Sequence, residues 1–200
     1  FLLEKEIRYV GQAVENPIHP FAAIIGGAKV SDKIGVIDNL LDKVDVLLIG
    51  GGMANTFLAA KGYKIGKSLV EADKIDLAKE LLIKAEKKNV KLYLPVDLVM
   101  SEAFAADAKN KAQDIENLDQ SCMALDIGPK TAALYADALK SAKMIVWNGP
   151  MGVFEMDAFC KGTEAVAKAV AANRGVTIVG GGDSVAAIDK LGLEKKIRHI

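Results

Sequence analysis

The stretch Val44-Asp45-Val46-Leu47-Leu48-Ile49-Gly50-Gly51-Gly52-Met53-Ala54 passes from a short apolar run through three consecutive glycines. The run lacks the strict polar–apolar alternation of a half-exposed strand. It reads as a strand covered on both faces, the situation of a parallel sheet. The glycines after it let the backbone turn sharply and bring its N–H groups close to a ligand. Five other runs resemble it: Phe21 to Ile25, Val90 to Leu94, Met123 to Asp126, Met144 to Trp147 and Val176 to Val179.

Between these runs lie segments with helical spacing. Ser31 to Leu41 sets Ile34, Ile37 and Leu41 on one stripe, and Glu71 to Lys88 does the same with Ile75, Ala78, Leu82 and Ala85. Thr131 to Leu139 and Ala158 to Ala172 follow the same pattern. Strands alternating with helices of this length predict an α/β fold, a three-layer αβα sandwich on a mostly parallel sheet. The polar, alanine-rich stretch from Ser101 to Ser121 carries no strand signal, and Glu102 to Lys111 reads as a surface excursion with some helical character.

Composition narrows the function. Hydrophobic residues are 51% and charged residues 26%, which describes a globular chain rather than a disordered one. Lys plus Arg (26) balances Asp plus Glu (26), which argues against a broad nucleic-acid surface but leaves room for a local phosphate pocket. Cys122 and Cys160 are too few for a disulfide framework and read as small buried hydrophobes. No apolar run reaches the ~18 residues that a membrane span needs. The segment Phe1 to Ile7 reads as the inside of a helix and Arg198-His199-Ile200 as the start of another element, so both ends are expected to be cuts in a longer protein.

Glycines follow every apolar run but the third: Gly26-Gly27, Gly50-Gly51-Gly52, Gly128, Gly149 with Gly152, and Gly180-Gly181-Gly182. In an open parallel sheet these loops share the edge where ligands bind. Helix N-termini there add unpaired N–H groups and positive potential, so a phosphate- or nucleotide-sized anion is expected at this edge. Packing alone would explain any one of these glycines, but two separate triplets at strand ends favour the ligand. Lys29 and Lys33, four residues apart across a loop-to-helix junction, suit an anion on one helix face, or are an ordinary solvated pair. Ser31 or Asp32 can cap that helix. Asp183 either caps the last helix or ligates Mg²⁺ beside a polyphosphate, and Ser184 can donate its hydroxyl to a phosphate oxygen. In Trp147-Asn148-Gly149-Pro150-Met151-Gly152-Val153-Phe154-Glu155, Pro150 fixes φ beside Asn148, and Glu155 can accept two hydrogen bonds from a ribose diol.

Other motifs fail. No G-x-G-x-x-G follows the first strand, and Gly62 to Ser68 falls one residue short of a P-loop and follows a weak helix. His19 and His199 lack partners at metal-ligand spacing, and no G-x-S-x-G is present.

Taken together, Gly26-Gly27-Ala28-Lys29-Val30-Ser31-Asp32-Lys33, Gly50-Gly51-Gly52-Met53-Ala54, Leu94-Pro95-Val96-Asp97, the Trp147–Glu155 stretch and Gly180-Gly181-Gly182-Asp183 resemble the phosphoglycerate kinases, specifically their C-terminal, nucleotide-binding half. The resemblance runs essentially end to end. It implies a Rossmann-like sheet of six strands in the order 3-2-1-4-5-6. It also implies an interdomain helix over 1–16 and a nucleotide-binding domain over 17–200 that stops short of the family's final glycine loop.

By the same resemblance the whole enzyme moves a phosphoryl group between 1,3-bisphosphoglycerate and Mg-ADP, giving 3-phosphoglycerate and ATP. Gly27, Ala28, Gly50 and Gly51 would line the adenine slot, Leu125 would pack on the base, and Pro150 and Glu155 would hold the ribose. Lys29 and Lys33 would act catalytically on the phosphates, near Asn148. Gly181, Gly182 and Ser184 would bind the nucleotide's phosphate side, and Asp183 would position Mg²⁺. The sugar-phosphate substrate would sit in an N-terminal domain that these residues do not include. The family is monomeric and cytoplasmic in bacteria, with neither nucleic acid nor membrane as a partner. Two alternatives remain: an NAD-dependent oxidoreductase domain and a non-catalytic nucleotide-binding module.

Overall fold

A computed structural model describes residues 15–193 of the chain. The helix expected over Leu2 to Val14, and the Arg198-His199-Ile200 end, lie outside the described residues.

The central element is a parallel sheet. Its strands are β1 (Phe21–Ile25), β2 (Val46–Ile49), β3 (Lys91–Tyr93), β7 (Met144–Asn148) and β8 (Val176–Gly180). Their order is β3-β2-β1-β7-β8, with every pairing parallel. The chain builds outward from β1 in one direction through β2 and β3, then returns to the other side of β1 with β7 and β8. Strand order therefore reverses between β1 and β7, the place in such sheets where a crevice opens at the carboxyl ends.

Strand β1 shows why both faces are covered. Phe21, Ala23 and Ile25 point into one core layer, Ala22 and Ile24 into the other, and all five are buried. On the first face lie α1 (Ile34–Leu41), α2 (Gly52–Ala60) and α3 (Ile75–Lys87), supplying Ile37, Leu40, Phe57, Ala78 and Leu81. On the second lie α4 (Pro129–Leu139), α5 (Lys161–Ala172) and α6 (Gly182–Leu191), supplying Tyr135, Leu139, Val166, Val170 and Ile188. The architecture is thus an α/β three-layer sandwich. Three of the expected helical segments, from Ser31, Glu71 and Ala158, begin α-helix a few residues later, because 3-10 turns at Val30–Asp32, Ala72–Lys74 and Asp157–Phe159 precede α1, α3 and α5.

The sheet differs from the expected six strands in the order 3-2-1-4-5-6. The Met123 run does not join it. Instead β6 (Met123–Ile127) pairs antiparallel with β4 (Asp97–Ser101), whose other edge takes β5 (Asn110–Asp114), giving a separate three-stranded sheet in the order β5-β4-β6. The Ser101–Ser121 stretch therefore holds a strand in β5 where none was expected, and the Glu102–Lys111 excursion forms turns rather than a helix before β5 begins. Asn-Lys-Ala-Gln-Asp carries no β-branched or aromatic residue. The ladder to β4 and a solvated edge position make it a strand, not local preference. A third apolar cluster of Leu58, Ile65, Leu98, Met100, Leu118 and Cys122 fastens this small sheet to α2.

The small sheet is also anchored to α4. The buried Asp97 carboxylate accepts the backbone N–H groups of Lys130 (3.1 Å) and Thr131 (2.8 Å) and the Thr131 hydroxyl (2.6 Å). It thereby satisfies N–H groups of the first helical turn that have no partner within the helix.

Candidate functional site

The loops that leave β1, β2 and β7 are knitted together by backbone hydrogen bonds. Gly26 N–H donates to Asn148 O (2.8 Å), Gly27 N–H to Pro150 O (3.1 Å), Gly51 N–H to Met151 O (3.1 Å) and Met53 N–H to Gly27 O (3.0 Å). This close approach requires glycine. Gly51 has φ +73°, and a Cβ there would lie 2.5 Å from Gly27 O. Gly149, at φ +103°, would drive a Cβ into Gly26 O.

The knot forms one wall of a cavity of about 460 Å³ at the carboxyl edge of the parallel sheet. Gly27, Ala28, Gly51, Pro150 and Glu155 contribute to the lining, with Asp183 from the first turn of α6. Leu125, Asp126 and Ile127 of β6 form the facing wall, so the strand that left the main sheet still reaches the site. A larger depression of about 640 Å³ lies at the opposite edge, lined by Lys140, Lys143, Arg174 and several alanines. Size alone would favour that depression, but the glycine loops do not converge on it.

The remaining expected residues lie around the cavity rather than in its wall. Lys33 Nζ donates to the buried Asn148 Oδ1 at 2.5 Å, joining the start of α1 to the end of β7. Ser184 is fully buried, and its Oγ accepts the Gly149 N–H at 2.6 Å. That hydroxyl thus has a structural duty in holding the β7 loop against α6. Gly50 continues β2, donating to Ile25 O, and Gly181 has its α-carbon face toward the Asn148 amide. Gly182 begins α6 and is exposed.

Lys29 and Lys33 do not share a helix face. Lys29 is extended (φ −128°, ψ 133°) and exposed, a 3-10 turn intervenes, and Lys33 stands at the N-terminal boundary of α1. Nor does either expected cap operate. Ser31 instead bonds Glu71 through its N–H (3.1 Å) and hydroxyl (2.7 Å), and no side chain caps α1. At Glu71, desolvation raises the carboxyl's pKa, but Ser31, the Val30 N–H and the charge of Lys29 outweigh it and hold the group below its usual range.

Several wall residues were not anticipated. Asn55, Lys67, Leu69 and Phe104 all line the cavity. Phe104 sits at the turn between β4 and β5, and its 61% exposure marks a large apolar side chain open to a ligand. An aromatic residue inside an otherwise polar excursion was the signal for it. Asn55 had a weaker signal, a lone amide within an apolar helix. Asp126 is buried, and burial pushes its carboxyl up to about 7 despite accepting the N–H groups of Gly162 (2.9 Å) and Ile127 (2.9 Å).

Gly62 to Ser68 follows helix α2 rather than a strand; its Lys67 lines the cavity, and the Ser68 hydroxyl accepts Ala124 N–H. His19 pairs with Asp45 at 2.6 Å away from the cavity, and both cysteines are buried. Among the described residues no cluster of three or more His, Cys, Asp or Glu could hold a metal, and no helix is long and apolar enough to cross a membrane.

Comparison with known proteins agrees with the motifs. The family profile described as "Phosphoglycerate kinase" matches residues 1–200. The chain is 62% identical over its full length to a phosphoglycerate kinase of Moorella thermoacetica, covering 51% of that protein. It is 59% identical to that of Clostridium novyi, covering 50%. The phosphoglycerate kinase structure from Coxiella burnetii superposes with a TM-score of 0.93 at 48% identity, over 99% of this chain and 52% of that one. The structure from Pyrococcus horikoshii gives 0.83 at 34%, over 98% and 50%. The chain spans about half the length of these relatives. A fold wound outward from β1, a glycine-knotted rim and a profile match over all 200 residues together assign the chain to the phosphoglycerate kinase family.

Proposed function

We propose that the chain is the C-terminal, nucleotide-binding half of a phosphoglycerate kinase, with 17–200 as that domain and 1–16 as the end of an interdomain helix. The observation that carries this reading is the convergence of the β1, β2 and β7 loops and the first turn of α6 on one cavity, beside the reversal of strand order. Gly27, Ala28 and Gly51 form an adenine slot against Leu125, with Gly50 behind Gly51 and packed on Met151. Pro150 and Glu155 hold the ribose, and the nucleotide's phosphates extend toward Asn148, Lys33, Lys29 and the N-terminus of α6.

In the reaction, a β-phosphate oxygen of ADP attacks the acyl phosphate of 1,3-bisphosphoglycerate. The bond from phosphorus to the acyl oxygen breaks, and the electrons leave with the carboxylate of 3-phosphoglycerate. The acyl phosphate is already activated, so the protein's task is positioning and charge. Lys33, held by Asn148, and Lys29 supply positive charge to the migrating phosphoryl oxygens. Gly181, Gly182 and Ser184 orient the phosphate side, and closure with the other half excludes water. Asp183 fits a Mg²⁺ site. Its side chain is exposed and lines the cavity at the first turn of α6, as suits an ion completed by phosphate and water oxygens. When bound there, the ion neutralises part of the nucleotide's phosphate charge.

The sugar-phosphate partner belongs to the other half, so these 200 residues bind Mg-ADP weakly and do not turn over. The whole enzyme is read as a cytoplasmic monomer. The dinucleotide alternative needs an acid at the end of β2, where Gly50 stands with Met151 against it. Calorimetric titration of the purified chain with Mg-ADP and with NAD separates the two. Saturable ADP binding without NAD binding and without kinase turnover is expected. Preference for NAD, or near-normal turnover by the chain alone, overturns the reading.

A further inference from the structure

Helix α2 begins at the Gly-Gly-Gly turn and buries every residue from Met53 to Leu58. Two of the six are polar. The Thr56 hydroxyl accepts the Glu71 N–H at 3.1 Å. Asn55 is 1% exposed, and its Oδ1 is the one buried side-chain polar atom among the described residues without a hydrogen-bond partner. A buried amide with an unmet acceptor is costly, and an isosteric leucine would fill the same space without that cost.

The orphan amide lines the cavity at the carboxyl edge of the sheet, beside Gly51, Gly52 and Leu125. Gly52 lies three residues before Asn55 and so shares its helix face. An amide presents an acceptor and a donor side by side, and rotation about its last bond exchanges them. Adenine offers the complement, an amino donor beside a ring-nitrogen acceptor on one edge.

We propose that Asn55 is a base-reading residue, its side-chain amide pairing with the amino-bearing edge of adenine and so favouring adenine over a purine that carries nothing at position 6. This deepens the nucleotide-site reading above and rests on it. The unmet acceptor is then the vacant half of a recognition pair. A site built to hydrogen-bond a substrate amino group discriminates against an analogue that lacks it.

The test is a cycle between protein and ligand in the intact protein that contains this chain. Dissociation constants are measured by calorimetry for ADP and for purine riboside diphosphate, which lacks only the 6-amino group, on wild type, Asn55→Leu and Asn55→Ala. Wild type is expected to favour ADP about tenfold, a typical size for one such pair, and both variants to bind the two ligands alike. Without nucleotide, Asn55→Leu should melt at or above the wild-type temperature. An ADP preference that survives in both variants overturns the proposal while leaving the nucleotide site intact. So does a loss of affinity by the same factor for both ligands, which marks a merely structural role. Failure of wild type to bind either ligand overturns the site and the proposal together.

Discussion

Lys33 Nζ and Asn148 Oδ1 meet across the reversal of strand order, one from the start of α1 and the other from the last residue of β7. The contact sets the position of a cation whose helix N-terminus would otherwise disfavour it. An anionic phosphate chain at this rim would relieve both charges.

If Lys33 acts on the transferring phosphoryl group, Lys33→Ala in the intact enzyme should lower kcat about a hundredfold, ~3 kcal/mol of transition-state stabilisation. The dissociation constant for ADP should change far less. Steady-state kinetics with independent nucleotide titration checks this. A raised KM at unchanged kcat would contradict the catalytic role.

Ser184→Ala removes the acceptor of the Gly149 N–H and leaves that buried donor unpaired. Stability should fall by about 1–3 kcal/mol. Affinity for ADP should fall as well, because the β7 loop loses its tie to α6. Urea unfolding and nucleotide titration of the same protein report the two effects.

Asp126 should make stability depend on pH in the direction opposite to that of most carboxylates. Burial raises its folded pKa to about 7, above the ~3.9 of an unfolded chain, so the folded state binds the extra proton. The resulting stability is present below about pH 4 and is lost as pH rises toward 7. Asp126→Asn cannot ionise, but its single amide oxygen can accept only one of the Gly162 and Ile127 N–H groups, a loss that does not vary with pH. Its stability relative to wild type should therefore rise by about 2–4 kcal/mol between pH 5 and pH 8. Urea midpoints at the two pH values measure this, and a gap independent of pH would refute it.

Gly51→Ala forces a Cβ onto Gly27 O at a backbone φ of +73°. It should cost about 1–3 kcal/mol through backbone strain and overlap. Because Gly51 also lines the cavity, ADP binding should weaken even where the variant stays folded. A thermal melt paired with titration distinguishes this from a variant that only unfolds.

Local pattern was sufficient where a segment's environment follows from its own side chains. Phe21-Ala22-Ala23-Ile24-Ile25 is apolar at every position and can only be buried on both faces, and the glycines after it mark the rim. Helices α1, α3, α4 and α5 were legible for the same reason, their stripes repeating at helical spacing, whereas α2 is buried from Met53 to Leu58 and shows no stripe. Asn110-Lys111-Ala112-Gln113-Asp114 was illegible because nothing in it favours a strand; pairing with β4 creates one. Lys29 and Lys33 were visible as a pair, but the intervening 3-10 turn that separates them depends on Val30 being buried beneath it.

The sequence alone therefore determined the sandwich, the rim of glycine loops and the family, since these follow from burial patterns and motifs read along the chain. Tertiary structure decided that the Met123 run forms the facing wall instead of a sixth parallel strand, that Ser184 and Asn148 brace the loops, and that Asn55 and Phe104 enter the cavity. Each of those outcomes depends on a partner distant in the chain, such as β4 for β6 or Gly149 for Ser184. Hydrogen bonds between remote segments leave no periodic signature in either segment, so only folding brings them into view.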